Sequence, residues 1–122
     1  MSKASYKDLM VWQKSIDLGL LVYKVTDNFP NCENFGLVSQ MRRSTVSIPS
    51  NVAEGRMRRS QKEFVRFLHI AFGFGAELET QLLFSLRLGY LFQKDFDKVS
   101  SLLDEIMRML NALIGVKPVR AC

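Results

Sequence analysis

Apolar residues in this chain recur three and four positions apart in four successive stretches, and none of the four alternates apolar with polar. A period near 3.6 places such residues on one side of a helix, whereas a half-buried strand needs a period of two. The first stretch covers residues 6–28, with Leu9, Trp12, Ile16, Leu20 and Tyr23 on one stripe. Pro30 stops it, because the residue before a proline is driven out of the helical region. The second covers residues 34–54, with Val38, Met41, Thr45, Ile48 and Val52 in register. Pro49 falls inside it, so either one helix kinks there or two shorter helices meet. Gly55 is the expected stop.

The third stretch covers residues 60–88 and opens on Ser60 and Glu63, spaced as a capping box. It carries Phe64, Phe67, Leu68, Ala71, Phe74, Leu78, Leu82 and Leu86. Gly73 and Gly75 lie within it, each costing about 1 kcal/mol against alanine in a helix. Close approach of another helix is the expected reason. A phosphate-cradling glycine loop would need a preceding strand. The fourth stretch covers residues 94–114, with Phe96, Val99, Leu103, Ile106, Leu110 and Leu113, closed by Gly115 and Pro118. Together they predict an all-α fold, an antiparallel up-and-down four-helix bundle forming one domain over residues 1–122.

At 122 residues and 48% hydrophobic composition, such a bundle can bury a core without a metal or disulfide framework. The two cysteines, Cys32 and Cys122, are too few for a secreted disulfide scaffold or a zinc site and suit a reducing cytosol. No run of apolar residues reaches membrane-spanning length, and residues 1–8 carry no apolar run of the signal-peptide kind. The expected location is cytoplasmic.

Catalysis is hard to build from these residues. His69 is the one histidine, and no zinc-type spacing exists. Glu77 and Glu79 are two apart on a helix and point in different directions. The Glu-x-x-His pairs of a di-iron bundle are missing, and Ser44, Ser47 and Ser50 have no evident base. The expectation is a protein that is no enzyme and uses neither a metal nor another cofactor.

Charge is the sharper signal. The net +5 is concentrated in residues 40–66, where Arg42, Arg43, Arg56, Arg58, Arg59, Lys62 and Arg66 face only Glu54 and Glu63. The segments on either side each balance to zero. A surplus focused in this way suits an anionic partner. With a turn between Gly55 and Ser60, Arg56, Arg58 and Arg59 occupy it. Arg59, Lys62 and Arg66 then fall within about 60° of one another, opposite Phe64, Phe67, Leu68 and Ala71. A helix N-terminus favours bound phosphate, and arginine forks grip phosphate oxygens in pairs. The seven basic residues are therefore the candidate nucleic-acid contacts, with one of Arg42 and Arg43 free to pair with Glu54 or with another subunit. Gln40, Asn51 and Glu54 read as structural. The aromatic residues sit mainly at core spacing, which leaves no surface platform for stacking bases.

Several segments, in order, also resemble a known family. They are YKDLMVWQK (6–14), NFP (28–30), ENFGL (33–37), QMRR (40–43), SIPSNVAEG (47–55), EF (63–64) and FLHIA (67–71). Together they resemble the four-helix-bundle proteins encoded by intervening sequences in bacterial 23S ribosomal RNA genes, over residues 6–113. One departure is Phe74, where a small residue is expected after Gly73. The resemblance implies a bacterial, cytoplasmic bundle assembled into a ring-like homo-oligomer, a homopentamer. It implies a similarity to accessory proteins of diversity-generating retroelements, which bind nucleic acid and a reverse transcriptase.

Two functions follow as expectations. One is a non-catalytic oligomeric bundle that binds structured or ribosomal-precursor RNA, in preference to DNA, through phosphate contacts. The other is an interaction scaffold whose basic edge docks an acidic protein partner, with Phe72, Phe74 and Phe92 exposed.

Overall fold

The structure, a computed structural model, describes residues 5–115. A 3-10 turn at Tyr6–Asp8 leads into α1 (Met10–Thr26), and a second at Asn31–Glu33 precedes α2 (Leu37–Met57). α3 (Gln61–Arg87) and α4 (Gln93–Ile114) complete the fold, with no strand among the described residues. α1 packs on α2 and α4, and α3 on the same two helices, with no close approach across either diagonal. The helices therefore run round a square in chain order, the up-and-down arrangement that short connections favour. None is long and apolar enough to cross a membrane.

Local chemistry explains where the ends fall. The Ser5 hydroxyl accepts from the Lys7 amide at 3.1 Å, and the Asp8 carboxylate accepts from the Ser5 amide at 3.2 Å. This capping box closes a separate turn, so α1 begins at Met10 rather than at residue 6. Ser60 caps α3 by accepting from the Glu63 amide at 3.3 Å. The returning half of that box is not made, because the Glu63 carboxylate accepts from Arg66 instead. Gly115 ends α4 at φ +78°, the left-handed conformation glycine adopts without a Cβ clash. Pro118 and Cys122 lie outside the described residues.

α2 departs from the sequence reading at both ends. It is one continuous helix through Pro49, which is buried and simply removes one ladder bond. Gly55 does not stop it. A Cβ there would lie 2.5 Å from Phe67 Cβ and 3.3 Å from the Phe64 carbonyl oxygen. The glycine is used for packing, and the helix runs on to Met57.

The core is built by Leu18, Met41, Ile48, Leu68, Leu78, Leu82, Leu103 and their neighbours, all essentially inaccessible. Burial stabilises the fold by about 1.5–3 kcal/mol for each large side chain. For α2 the expected register holds. For α1 it holds only at the start, where Leu9 and Trp12 are half-buried against the core: Val11, Ser15, Leu18, Val22 and Thr26 face inward, while Leu20 is 67% and Tyr23 43% exposed. Both stripes are largely apolar, so periodicity alone cannot choose between them. The bundle uses the one bearing small Ser15, with Gly19 beside it in contact range of Thr45 on α2. The Ser15 and Thr26 hydroxyls donate to the carbonyls of Val11 at 2.6 Å and Val22 at 2.8 Å, so neither is buried unpaired.

Two further expectations divide. Gly75 lies against the Met107 side chain and gives α4 its close approach to α3, whereas a Cβ on Gly73 would meet nothing within 4 Å. Phe92 is 82% exposed, but Phe72 and Phe74 are half-buried against the core rather than exposed. At the end of the bundle nearest Pro30, Phe29 packs on Tyr90, whose hydroxyl donates to Glu33 at 3.1 Å. That bond holds the Tyr90 phenol above its ordinary pKa.

The glycines make a testable contrast. Gly55→Ala is expected to destabilise the fold by about 1–3 kcal/mol through overpacking against Phe67. Gly73→Ala is expected to stabilise it by about 0.5–1 kcal/mol. Denaturant titration of both variants checks the opposite signs.

Candidate nucleic-acid interface

The structure separates the seven basic residues into two groups. Arg56, Arg58, Arg59, Lys62 and Arg66 gather where α2 turns into α3. Arg42 and Arg43 lie further back on α2, roughly 24 Å from Arg58 for Arg42 at 1.5 Å per residue. Arg42 is committed to the fold. Its guanidinium donates to Asp27 at 3.0 Å, to the Thr26 hydroxyl at 3.0 Å and to the Tyr23 carbonyl at 3.2 Å. It also lies 4.4 Å from the Tyr23 ring centre, tying α2 to the end of α1. Arg43 is exposed, beside that clamp and away from the turn.

The turn itself is tighter than expected. Arg56 lies inside α2, and the C-cap Arg58, Arg59 and the N-cap Ser60 make the whole connection. Arg59 adopts φ +60°, in the left-handed region where a Cβ costs roughly 1–2 kcal/mol. Glycine is the usual residue just past a helix end. Here an exposed arginine occupies that place.

Two phenylalanines that the sequence assigns only to the core have a second use. The guanidinium carbons of Arg58 and Arg66 lie 5.1 and 4.6 Å from the Phe67 ring centre, and that of Arg56 lies 5.6 Å from Phe64. Cations placed over an aromatic face are attracted to its negative quadrupole. Arg66 is therefore not opposite Phe67, as the helical wheel implies, but folded over it. The wheel gives the direction of a Cβ, whereas a long arginine can bend back across its own helix.

Carboxylates partly neutralise this end. Arg58 donates to Glu54 at 2.8 Å, an exposed pair four residues apart worth about 0.3–0.5 kcal/mol. Arg66 donates to both oxygens of Glu63 at 3.0 and 3.1 Å. These hydrogen bonds hold the Glu63 carboxyl below its ordinary pKa and the Arg66 guanidinium above its own. Glu54 thus holds Arg58, and neither Arg42 nor Arg43. Asn51 donates to the Ser47 carbonyl at 2.7 Å within α2. Gln40 is exposed.

With five cations against Glu54 and Glu63, the turn keeps a surplus of three positive charges. Arg59 and Lys62 are exposed and make no ion pair with any described residue. Lys62 sits in the first turn of α3, where the exposed amides and the helix dipole also favour an anion. Weak ion pairs of the Arg58–Glu54 kind can be exchanged for phosphate at little cost. No group of three His, Cys, Asp or Glu among the described residues could hold a metal ion.

These features define a four-helix bundle with a cationic hairpin end. The chain belongs to the family of 23S rRNA-intervening sequence proteins, whose family model matches residues 7–112. Among solved structures it is similar to a protein of unknown function from the S23 ribosomal protein family of Bacteroides thetaiotaomicron. The two are 25% identical, with a TM-score of 0.79, over 88% of this chain and 100% of that one. No curated protein matches.

Arg59→Gly tests whether the arginine is held at a cost. Relief of the left-handed conformation is expected to raise stability by about 1 kcal/mol, read as a higher denaturation midpoint. A loss of stability would show that the Arg59 side chain contributes to the fold.

Proposed function

We propose that this protein binds RNA through phosphate contacts at the α2–α3 turn and performs no chemistry on it. The observation that carries this reading is the turn itself: five cations meet around a three-residue connection, three of them laid against phenylalanine rings. Stacked guanidiniums lose little freedom on binding, and their planar forks match phosphate geometry. Phe64 and Phe67 are only 7% and 6% exposed, so they offer no open ring on which to stack a base. Recognition by backbone charge and shape follows, which suits structured RNA. The family's link to 23S ribosomal RNA supports RNA over DNA as the ligand.

The homo-oligomer implied by the family resemblance fits the unexpected register of α1. Its exposed Ile16, Leu20 and Tyr23, with half-buried Trp12, border a groove of about 390 Å³ with Val46 and Pro49 of α2. No Lys, Arg, Asp or Glu among the described residues lines this groove, the composition expected of a subunit-interface centre. We take a second copy of the chain as its occupant. An assembly would array several α2–α3 turns and add avidity to individually weak contacts. Leu20→Glu is expected to reduce the particle mass in light scattering while leaving helical content unchanged. An unchanged mass overturns this contact.

RNA binding is tested by titrating a labelled structured RNA across salt concentrations, with single-stranded DNA as competitor. The exposed Arg59 and Lys62 predict a slope of log affinity on log salt of about −1.5 to −2 for each engaged protomer. The Arg59→Glu/Lys62→Glu variant is expected to bind at least about tenfold more weakly with a shallower slope, its fold and oligomer size unchanged. Full affinity in that variant, or no binding by the parent protein at low salt, would overturn the reading.

A further inference from the structure

The second groove of the molecule lies on the outer face of α2 and α3, at the end away from the basic turn. It has a volume of about 690 Å³. Gly73, Ala76 and Thr80, at helical spacing on α3, give it a low exposed surface. Phe84 and Leu88, 59% and 54% exposed, continue it toward the end of α3.

Gly73 makes room for no neighbour among the described residues. Gly55 and Gly75 each make room for a neighbour, but a Cβ on Gly73 meets nothing within 4 Å. An unfavourable residue in mid-helix, open to solvent and beside exposed apolar side chains, fits close approach by something outside the chain. The spacing of the low positions along α3 suits a helix laid in the groove.

Charge indicates which kind of helix. Among the described residues Glu33 and Glu77 line the groove and no Lys or Arg does, in a chain whose net charge is +5. Glu33 is held in place, accepting from the Leu37 amide at 3.2 Å and the Tyr90 hydroxyl at 3.1 Å. Glu77 is exposed. Two carboxylates beside apolar walls are complementary to lysine or arginine flanking an apolar stripe.

We propose that this groove binds a basic amphipathic helix of another protein. The site lies roughly 22 Å along α3 from Lys62, counted at 1.5 Å per residue from Glu77. One bundle could therefore hold a basic protein at one end of the α2–α3 hairpin and an anion at the other. The proposal does not depend on the RNA reading.

The test uses two designed helical peptides with the same leucine and alanine face, one flanked by lysines and the other by glutamates. Each is titrated against the full chain by fluorescence anisotropy. The net charge of the protein by itself favours the glutamate peptide, whereas the groove predicts at least about tenfold tighter binding of the lysine peptide. Glu77→Lys is expected to reduce that preference about tenfold. Gly73→Leu fills the low surface and is expected to weaken the lysine peptide at least about tenfold, with unchanged helical content and RNA binding. Equal binding, glutamate preference, no binding of either peptide or insensitivity to Gly73→Leu overturns the proposal. So does a fall in particle mass with Gly73→Leu, which would make the groove a contact between copies. In Arg59→Glu/Lys62→Glu the lysine peptide is expected to bind as tightly as in the parent, so loss of RNA binding leaves this result standing.

Discussion

The approach of α2 to α3 at Gly55 and Phe67 is the contact on which most of the structure depends. These helices pack more extensively than any other pair, and a Cβ on Gly55 would collide with Phe67 Cβ. The approach lets a connection as short as Arg58, Arg59 and Ser60 reverse the chain. It also seats Phe64 and Phe67 where their inner faces meet the core and their rings carry Arg56, Arg58 and Arg66. Without a glycine at position 55, the hairpin would splay and the guanidiniums would lose their common support.

Charge is distributed along that hairpin as a consequence of its two ends. At the turn, cations outnumber carboxylates and the α3 dipole reinforces them. Toward the other end, Glu33 and Glu77 border an apolar groove that no cation among the described residues lines. Between them, Arg42 spends its charge on Asp27, Thr26 and Tyr23 and serves the fold. A positive stretch of sequence is thereby resolved into one candidate binding surface and one internal clamp.

The elements were legible because four helices with distinct apolar stripes leave few alternatives, and the inward register of α2 could be read directly from Val38, Met41, Thr45, Ile48 and Val52. The α1 register could not. Ile16, Leu20 and Tyr23 belong to an equally apolar stripe, yet Val11, Ser15, Leu18 and Val22 are inside, with Gly19 in contact range of Thr45 where α1 meets α2. Gly55 misled for a related reason: glycine signals a helix end in a local reading, but here it answers a tertiary contact. The basic cluster was legible as composition, whereas the folding of Arg66 over Phe67 was not, since it depends on side-chain torsions that a helical wheel ignores.

Sequence alone determined the helical class, the order of the four elements, most of their boundaries to within a few residues and the location of the charge surplus. These depend on interactions between near neighbours: apolar period, capping serines, proline, and the count of ionisable groups. Tertiary structure decided which stripe of α1 is buried, that Gly55 packs rather than terminates, that Arg42 is spent on a clamp, and that Gly73 faces a groove. Each is settled by a residue far away in the chain, through contact distances of a few ångströms that no local pattern encodes.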